Sequence, residues 1–150
     1  MLLNYKKNIY NIALVQLLLV GSLHAQKPYN DSIQFDINYF YDSAHHWYDI
    51  REEKRIIELI ENQKRYDVTD VTGIADNIIL FQKANGGWAK NYDMLAILTD
   101  DQKAAVEKSK NETNTTFDNG TTFSQVDYLA KVYSMTSEKK YMEACEAGLS

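Results

Sequence analysis

Residues 74–91 read IADNIILFQKANGGWAKN, and the reading of this stretch decides the fold. Ile74, Ile78 and Phe81, with Ala75 and Ile79 beside them, recur at the three- and four-residue spacing of one helix face, which predicts a helix running to about Lys83. Asn85-Gly86-Gly87-Trp88 follows directly. In a chain with only six glycines, two side by side mark a sharp turn. A glycine just past a helix takes left-handed dihedrals without a Cβ clash, and a second one lets the backbone bend closely. Trp88 on that turn can close the end of the helical layer or present its face to a sugar ring. Lys90 and Asn91 would lie close by as a point charge and a two-way hydrogen bonder.

Outward from this stretch the chain reads as helical from Trp47 onward. Ile56, Ile57, Leu59 and Ile60 form an apolar stripe on a segment ending near Arg65. Thr99, with Gln102 three residues on, has the pattern of a capping box opening a helix to about Lys110. Phe123, Val126, Leu129, Ala130 and Tyr133 mark a further helix, and Tyr141, Ala144, Cys145 and Leu149 the last. No alternating pattern competes with these, so the fold class expected is all-α. Residues 26–46 mix Asn, Asp, Ser, Tyr and the only proline, Pro28, and read as an extended lead-in. His45-His46 falls there and reads as a surface or packing pair.

The first 25 residues have the plan of a signal peptide. Lys6 and Lys7 precede an apolar run from Ile12 to Val20, and small residues lead to Ala25, after which cleavage is expected. The run is shorter than the roughly 20 residues a membrane span needs. A secreted or periplasmic protein without a stable membrane span after cleavage is therefore expected. The leader carries two of the 16 basic residues and none of the 21 acidic ones, so the mature chain is distinctly acidic. Its Lys and Arg are interleaved with Glu as on solvated helix faces, which argues against nucleic acid as a partner. Cys145 is the only cysteine, so an intrachain disulfide and a thiolate metal cluster are both excluded.

A second stretch, TTFDNGTTFSQ at residues 115–125, places Asp118, Asn119 and Gly120 just before the Phe123 helix. Asp118 can be an ordinary N-cap and Asn119-Gly120 an ordinary turn. The same residues can also form an oxygen-rich loop in which a carboxylate and an amide carbonyl share a hard cation such as Ca²⁺. One Asp alone cannot hold calcium, so other ligands would come from elsewhere in the chain or from a substrate. The Asn-X-Ser/Thr matches at Asn30, Asn111, Asn114 and Asn119 are the chance matches of an Asn-rich chain.

ADNIILFQKANGGWAKNYDM and TFDNGTTFSQVDYLAKVYSMTSEKKY, in that order, resemble the front part of the polysaccharide lyase family ten pectate lyases. The resemblance runs from about Trp47 to Leu149. It implies that residues 47–150 are an N-terminal portion of a catalytic domain, the beginning of an α/α toroid of helical hairpins, and that the chain is a truncated piece, monomeric when complete. It implies calcium-dependent β-elimination on polygalacturonate, with Asp118 at the metal-ligand position and Trp88, Lys90, Asn91 and Asn119 toward the substrate. The family's base arginine would lie beyond Ser150, which leaves no catalytic residue within these residues. Ala89 stands where the family has proline and Thr121 where it has alanine, changes that loosen the turn and crowd the loop. Two alternatives stay open. A non-catalytic carbohydrate-binding or helical interaction module would keep the groove without the base. A toroid of the terpene cyclase kind would use Gln82, Gly86 and Trp88 in a QxxxGxW spacing to tie helix ends, but leaves the Asp118 loop unexplained.

Overall fold

The computed structural model describes residues 33–49 and 57–150. A 3₁₀ turn at Ile37–Phe40, capped by the Asp36 carboxylate, leads into α1 at Tyr41–Asp49. Residues 57–70 hold no helix, and after them come α2 at Val71–Phe81, α3 at Asp100–Lys108, a 3₁₀ turn at Asp118–Gly120, α4 at Phe123–Thr136 and α5 at Lys139–Leu149. The described residues are mostly helical and contain no strand, only an isolated antiparallel bridge between Arg65 and Ala96.

Helix α2 is the centre of the packing. Asp70 caps it by accepting from the Gly73 N–H at 2.9 Å. Its apolar face, Ile74, Ala75, Ile78 and Phe81, is buried and faces α3, α4 and α5. Each such Ile or Phe removed from water contributes roughly 1.5–3 kcal/mol, so this single face is a large part of the core. Ser137 in a left-handed conformation ends α4, and α5 packs back along it. Asp76 on the outer side of α2 then ties the start of α5, accepting from the Tyr141 hydroxyl at 3.0 Å and from Lys140 Nζ at 2.6 Å. Asn77, one residue on, is buried and donates to the carbonyls of Met94 and Ala96. The Asp and Asn of the first motif are thus fasteners between α2 and its neighbours.

Two expectations from the sequence are corrected. The helix expected to end near Arg65 is not there over its described part, residues 57–65. The Ile57 carbonyl accepts from Trp47 Nε1 and the Glu58 carbonyl from Gln102 Nε2, while Asn62 takes a positive φ of 60°. The backbone around Arg65 pairs instead with the loop before α3, Tyr66 N donating to Leu95 O and Ile97 N to Lys64 O. The lead-in, expected to be extended to residue 46, is helical from Tyr41, with Ser43, Ala44 and Trp47 buried. His45 lies on this helix, its Nδ1 2.8 Å from the exposed Asp49 carboxylate. The signal peptide, the lead-in up to residue 32 and Ile56 lie outside the described residues.

Candidate functional site

The Gly-Gly turn is built against α5. Helix α2 stops because Gln82 turns extended, at ψ 130°, and not at a glycine as the sequence led us to expect. Gly86, four residues later, takes the left-handed φ of 86°, and a Cβ there would overlap the carbonyl of Ala147 in α5. Gln82 Nε2 donates to the Gly86 carbonyl at 2.7 Å and to the Ala144 carbonyl at 2.8 Å, stapling turn and helix together. Trp88 completes the joint. Its indole is fully buried, Nε1 donates to the Ile78 carbonyl at 2.8 Å, and Gly148 lies flat against the ring. An indole so enclosed has no face to offer a sugar, so the expectation that Trp88 contacts substrate directly gives way to a packing role. Gln82, Gly86 and Trp88 tie helix ends together, as their spacing alone allowed.

Beyond Trp88 the chain emerges. Ala89 is buried and Lys90 is half-exposed. Asn91 takes a positive φ of 70°, which Asn tolerates better than other side chains with a Cβ. The N–H groups of Asn91 and Tyr92 both reach the Ser43 hydroxyl of α1, at 2.8 and 3.1 Å. Tyr92 stacks on Phe81 with centroids 4.0 Å apart, and burial pushes its phenol well above the ordinary range. Asp93 underneath is fully buried, accepting from Tyr48 Oη at 2.9 Å, Arg65 Nε at 2.7 Å and the Leu95 N–H at 3.0 Å. Burial, and then the Asp93 charge, push the Tyr48 phenol up. This Asp93 cluster is not evident in the sequence. Its signal was the aspartate two residues after Asn91, but its partners come from distant parts of the chain.

The second motif is locked to the first. Thr116 N donates to the Trp88 carbonyl at 3.0 Å, Trp88 N donates to Thr122 Oγ1 at 3.2 Å, and Thr122 Oγ1 donates to the Thr116 carbonyl at 2.9 Å. Thr122 sits at φ 68°, ψ −52°, a costly conformation for a β-branched residue that these bonds hold in place. Thr122, and not Asp118, is the residue flanking α4, so the capping role open to Asp118 falls away. Asp118 instead opens the 3₁₀ turn, with Asn119 at its middle, and Thr121 N donates back to its carbonyl at 3.0 Å. Its half-exposed carboxylate meets Lys90, Nζ to Oδ2 being 2.8 Å. The structure therefore brings Lys90 and Asp118 together on a loop pair whose floor is Trp88. The Thr121 hydroxyl is buried with no hydrogen-bond partner among the described residues, the local consequence of a Thr where the resemblance has alanine.

Asp118 supplies one carboxylate, whereas calcium takes about six to eight oxygens. Among the described residues no three His, Cys, Asp or Glu side chains gather to hold a metal. Asp118 can offer a single carboxylate, already in contact with Lys90, and the described residues do not build a calcium site by themselves.

The sequence model of the pectic acid lyase family matches residues 82–150. The match starts at Gln82 and takes in the Gly-Gly turn, Lys90, the Asp118 turn, α4 and α5. The match is consistent with the pectate lyase resemblance of the two motifs and points to pectic acid lyase-type activity at the level of the family. The comparisons with curated proteins and with solved structures gave no match. No described helix is long and apolar enough to cross a membrane.

Proposed function

We propose that the chain is the amino-terminal part of a pectate lyase toroid that cleaves polygalacturonate by β-elimination, with Lys90, Asn91, Asp118 and Asn119 facing the substrate. The observation that carries this reading is the Lys90–Asp118 ion pair, 2.8 Å long, which joins the two motif loops inside the matched segment. In β-elimination a base takes the proton at C5 of a galacturonate, the electron pair forms the C4–C5 double bond, and the C4–O bond breaks with the oxygen leaving. Negative charge spreads onto the C6 carboxylate as the proton departs. A lysine ammonium held beside that carboxylate stabilises the charge as it develops. Asp118 orients Lys90 for this, and the hydrogen bonds between Trp88, Thr116 and Thr122 keep the two loops from drifting apart.

Calcium shared between Asp118 and the uronate carboxylates would withdraw charge in the same sense and would turn the repulsion between an acidic protein and a polyanion into attraction. The arginine base that the resemblance implies is sought outside the described residues, whose one arginine, Arg65, is engaged by Asp93. The leader read in residues 1–25 fits export to where pectate is met. The test is the release of ultraviolet-absorbing unsaturated uronides from polygalacturonate by the gene product at its natural length, with calcium and with a chelator. Release that requires calcium supports the reading. Binding of polygalacturonate with no release would favour the non-catalytic carbohydrate module, the second reading that the engaged Arg65 keeps in play.

A further inference from the structure

With Trp88 buried, the ring expected to meet a sugar is withdrawn, and two other rings flank the Asp118 turn in the chain. Phe117 and Phe123 bracket the Asp118 turn, and they are 79% and 66% exposed. The backbone between them is well anchored, since Thr121 and Thr122 are buried and Thr122 is bonded to both Trp88 and Thr116. Burial of a Phe side chain would contribute roughly 1.5–3 kcal/mol, so leaving two in water at one turn forgoes stability. A protein partner would call for a contiguous apolar patch. Here the exposed neighbours in sequence that carry side chains are polar: Asn111, Glu112, Thr113, Asn114 and Asp118. Isolated rings among hydroxyl, amide and carboxylate groups suit a ligand that is itself apolar on its faces and polar at its edges. A hexuronate ring is such a ligand, and its carboxylate edge complements the Lys90 ammonium on the same pair of loops.

We infer that Phe117 and Phe123 are sugar-stacking residues that cover the C–H faces of uronate rings on either side of the Asp118 turn. The inference rests on the proposed polygalacturonate reading and deepens it, assigning to these rings the role the sequence had given Trp88.

The test is calorimetric titration of the gene product at its natural length with galacturonate oligomers, for the wild type, Phe117→Ala, Phe123→Ala, the double variant, and Phe→Tyr and Phe→Leu at each position. Both side chains are exposed, so thermal melting should be unchanged in every variant. Each alanine should weaken oligomer binding roughly 3- to 10-fold, the range of an aromatic contact. Tyrosine should retain affinity and leucine should not, because the π-face rather than apolar bulk is what the sugar meets. The loss should also be insensitive to salt. Wild-type affinity in the double variant would overturn the inference while leaving the polygalacturonate reading intact. A wild type that binds no uronate oligomer would overturn both. A double variant that changes oligomeric state at unchanged sugar affinity would make the rings a protein contact and overturn the inference as well.

Discussion

Lys90 Nζ lies 2.8 Å from Asp118 Oδ2, a contact that spans the two sequence motifs. Both side chains are substantially exposed, so the pair adds at most about 1 kcal/mol to stability. On the proposed function its value is in placing a cation where a uronate carboxylate can reach it. Lys90→Gln should therefore leave thermal melting nearly unchanged while weakening polygalacturonate binding, with the difference from wild type shrinking as salt screens the charge. Binding titrations at low and high ionic strength check this, and a variant with wild-type affinity at low salt would remove Lys90 from the site.

Gly86→Ala should be among the most damaging single changes in the chain. The residue holds φ at 86°, and a Cβ would overlap the Ala147 carbonyl, so either the turn or α5 must move. A loss of about 3 kcal/mol or more is expected, on the scale of strain at a special backbone position combined with overpacking. Chemical denaturation measures it. A loss below about 1 kcal/mol would mean that the turn does not pack on α5 as described.

Both tryptophans are buried, Trp47 at 1% and Trp88 at 0% exposed. Emission should therefore be that of enclosed indoles, and saturating uronate oligomers should neither quench it nor shift it appreciably. A large quench on sugar addition would restore Trp88 to direct substrate contact.

Alkaline pH should unfold the protein earlier than its lysines alone would predict. Burial raises the phenol pKa values of Tyr48, Tyr92, Tyr128 and Tyr141 in the folded chain. A group whose folded pKa lies above its unfolded value binds more protons in the native state. The stability it contributes is complete below the unfolded value, about 10 for tyrosine, and is lost as the pH climbs toward the raised value. Lys140, raised chiefly by its hydrogen bond to Asp76, acts in the same direction. Stability measured from neutrality upward should hold level and then fall above about pH 10, with tyrosinate absorbance rising cooperatively as the fold opens. A gradual, independent titration of all the tyrosines in a still-folded chain would contradict the burial described.

What could be read from the sequence was what depends on near neighbours. Helix α3 is opened by the Thr99–Gln102 capping box that its residues spell out, and α2, α4 and α5 form where the apolar periodicity places them, although Phe123, Ala130 and Leu149 of those apolar sets stand exposed. The segment at 57–65 could not be read this way. Ile57 is buried in the core and its carbonyl accepts from Trp47, and Arg65 pairs with Ala96, a partner 31 residues on whose presence no local pattern records. Trp88 shows the same limit. Its burial depends on Gly148 in α5, so a tryptophan on a glycine turn looked as suited to a sugar as to a core. The proximity of Lys90 to Asp118 followed from the two motifs, whereas the Asp93 cluster needed Tyr48 and Arg65 to be brought in from elsewhere.

Asp118 meets Lys90 across the two motif loops, and one substitution separates its charge from its shape. Asp118→Asn keeps one side-chain oxygen and the size of the side chain but removes the charge that faces Lys90 and that would contribute to a calcium site. The measurement is the rate of unsaturated uronide release from polygalacturonate by the natural-length gene product across a calcium titration, wild type against Asp118→Asn, with melting recorded alongside. The account predicts unchanged melting, a fall in activity of about 100-fold or more, on the scale of losing one preorganised electrostatic contact, and only partial recovery at high calcium. Unchanged turnover with an unchanged calcium dependence would contradict it.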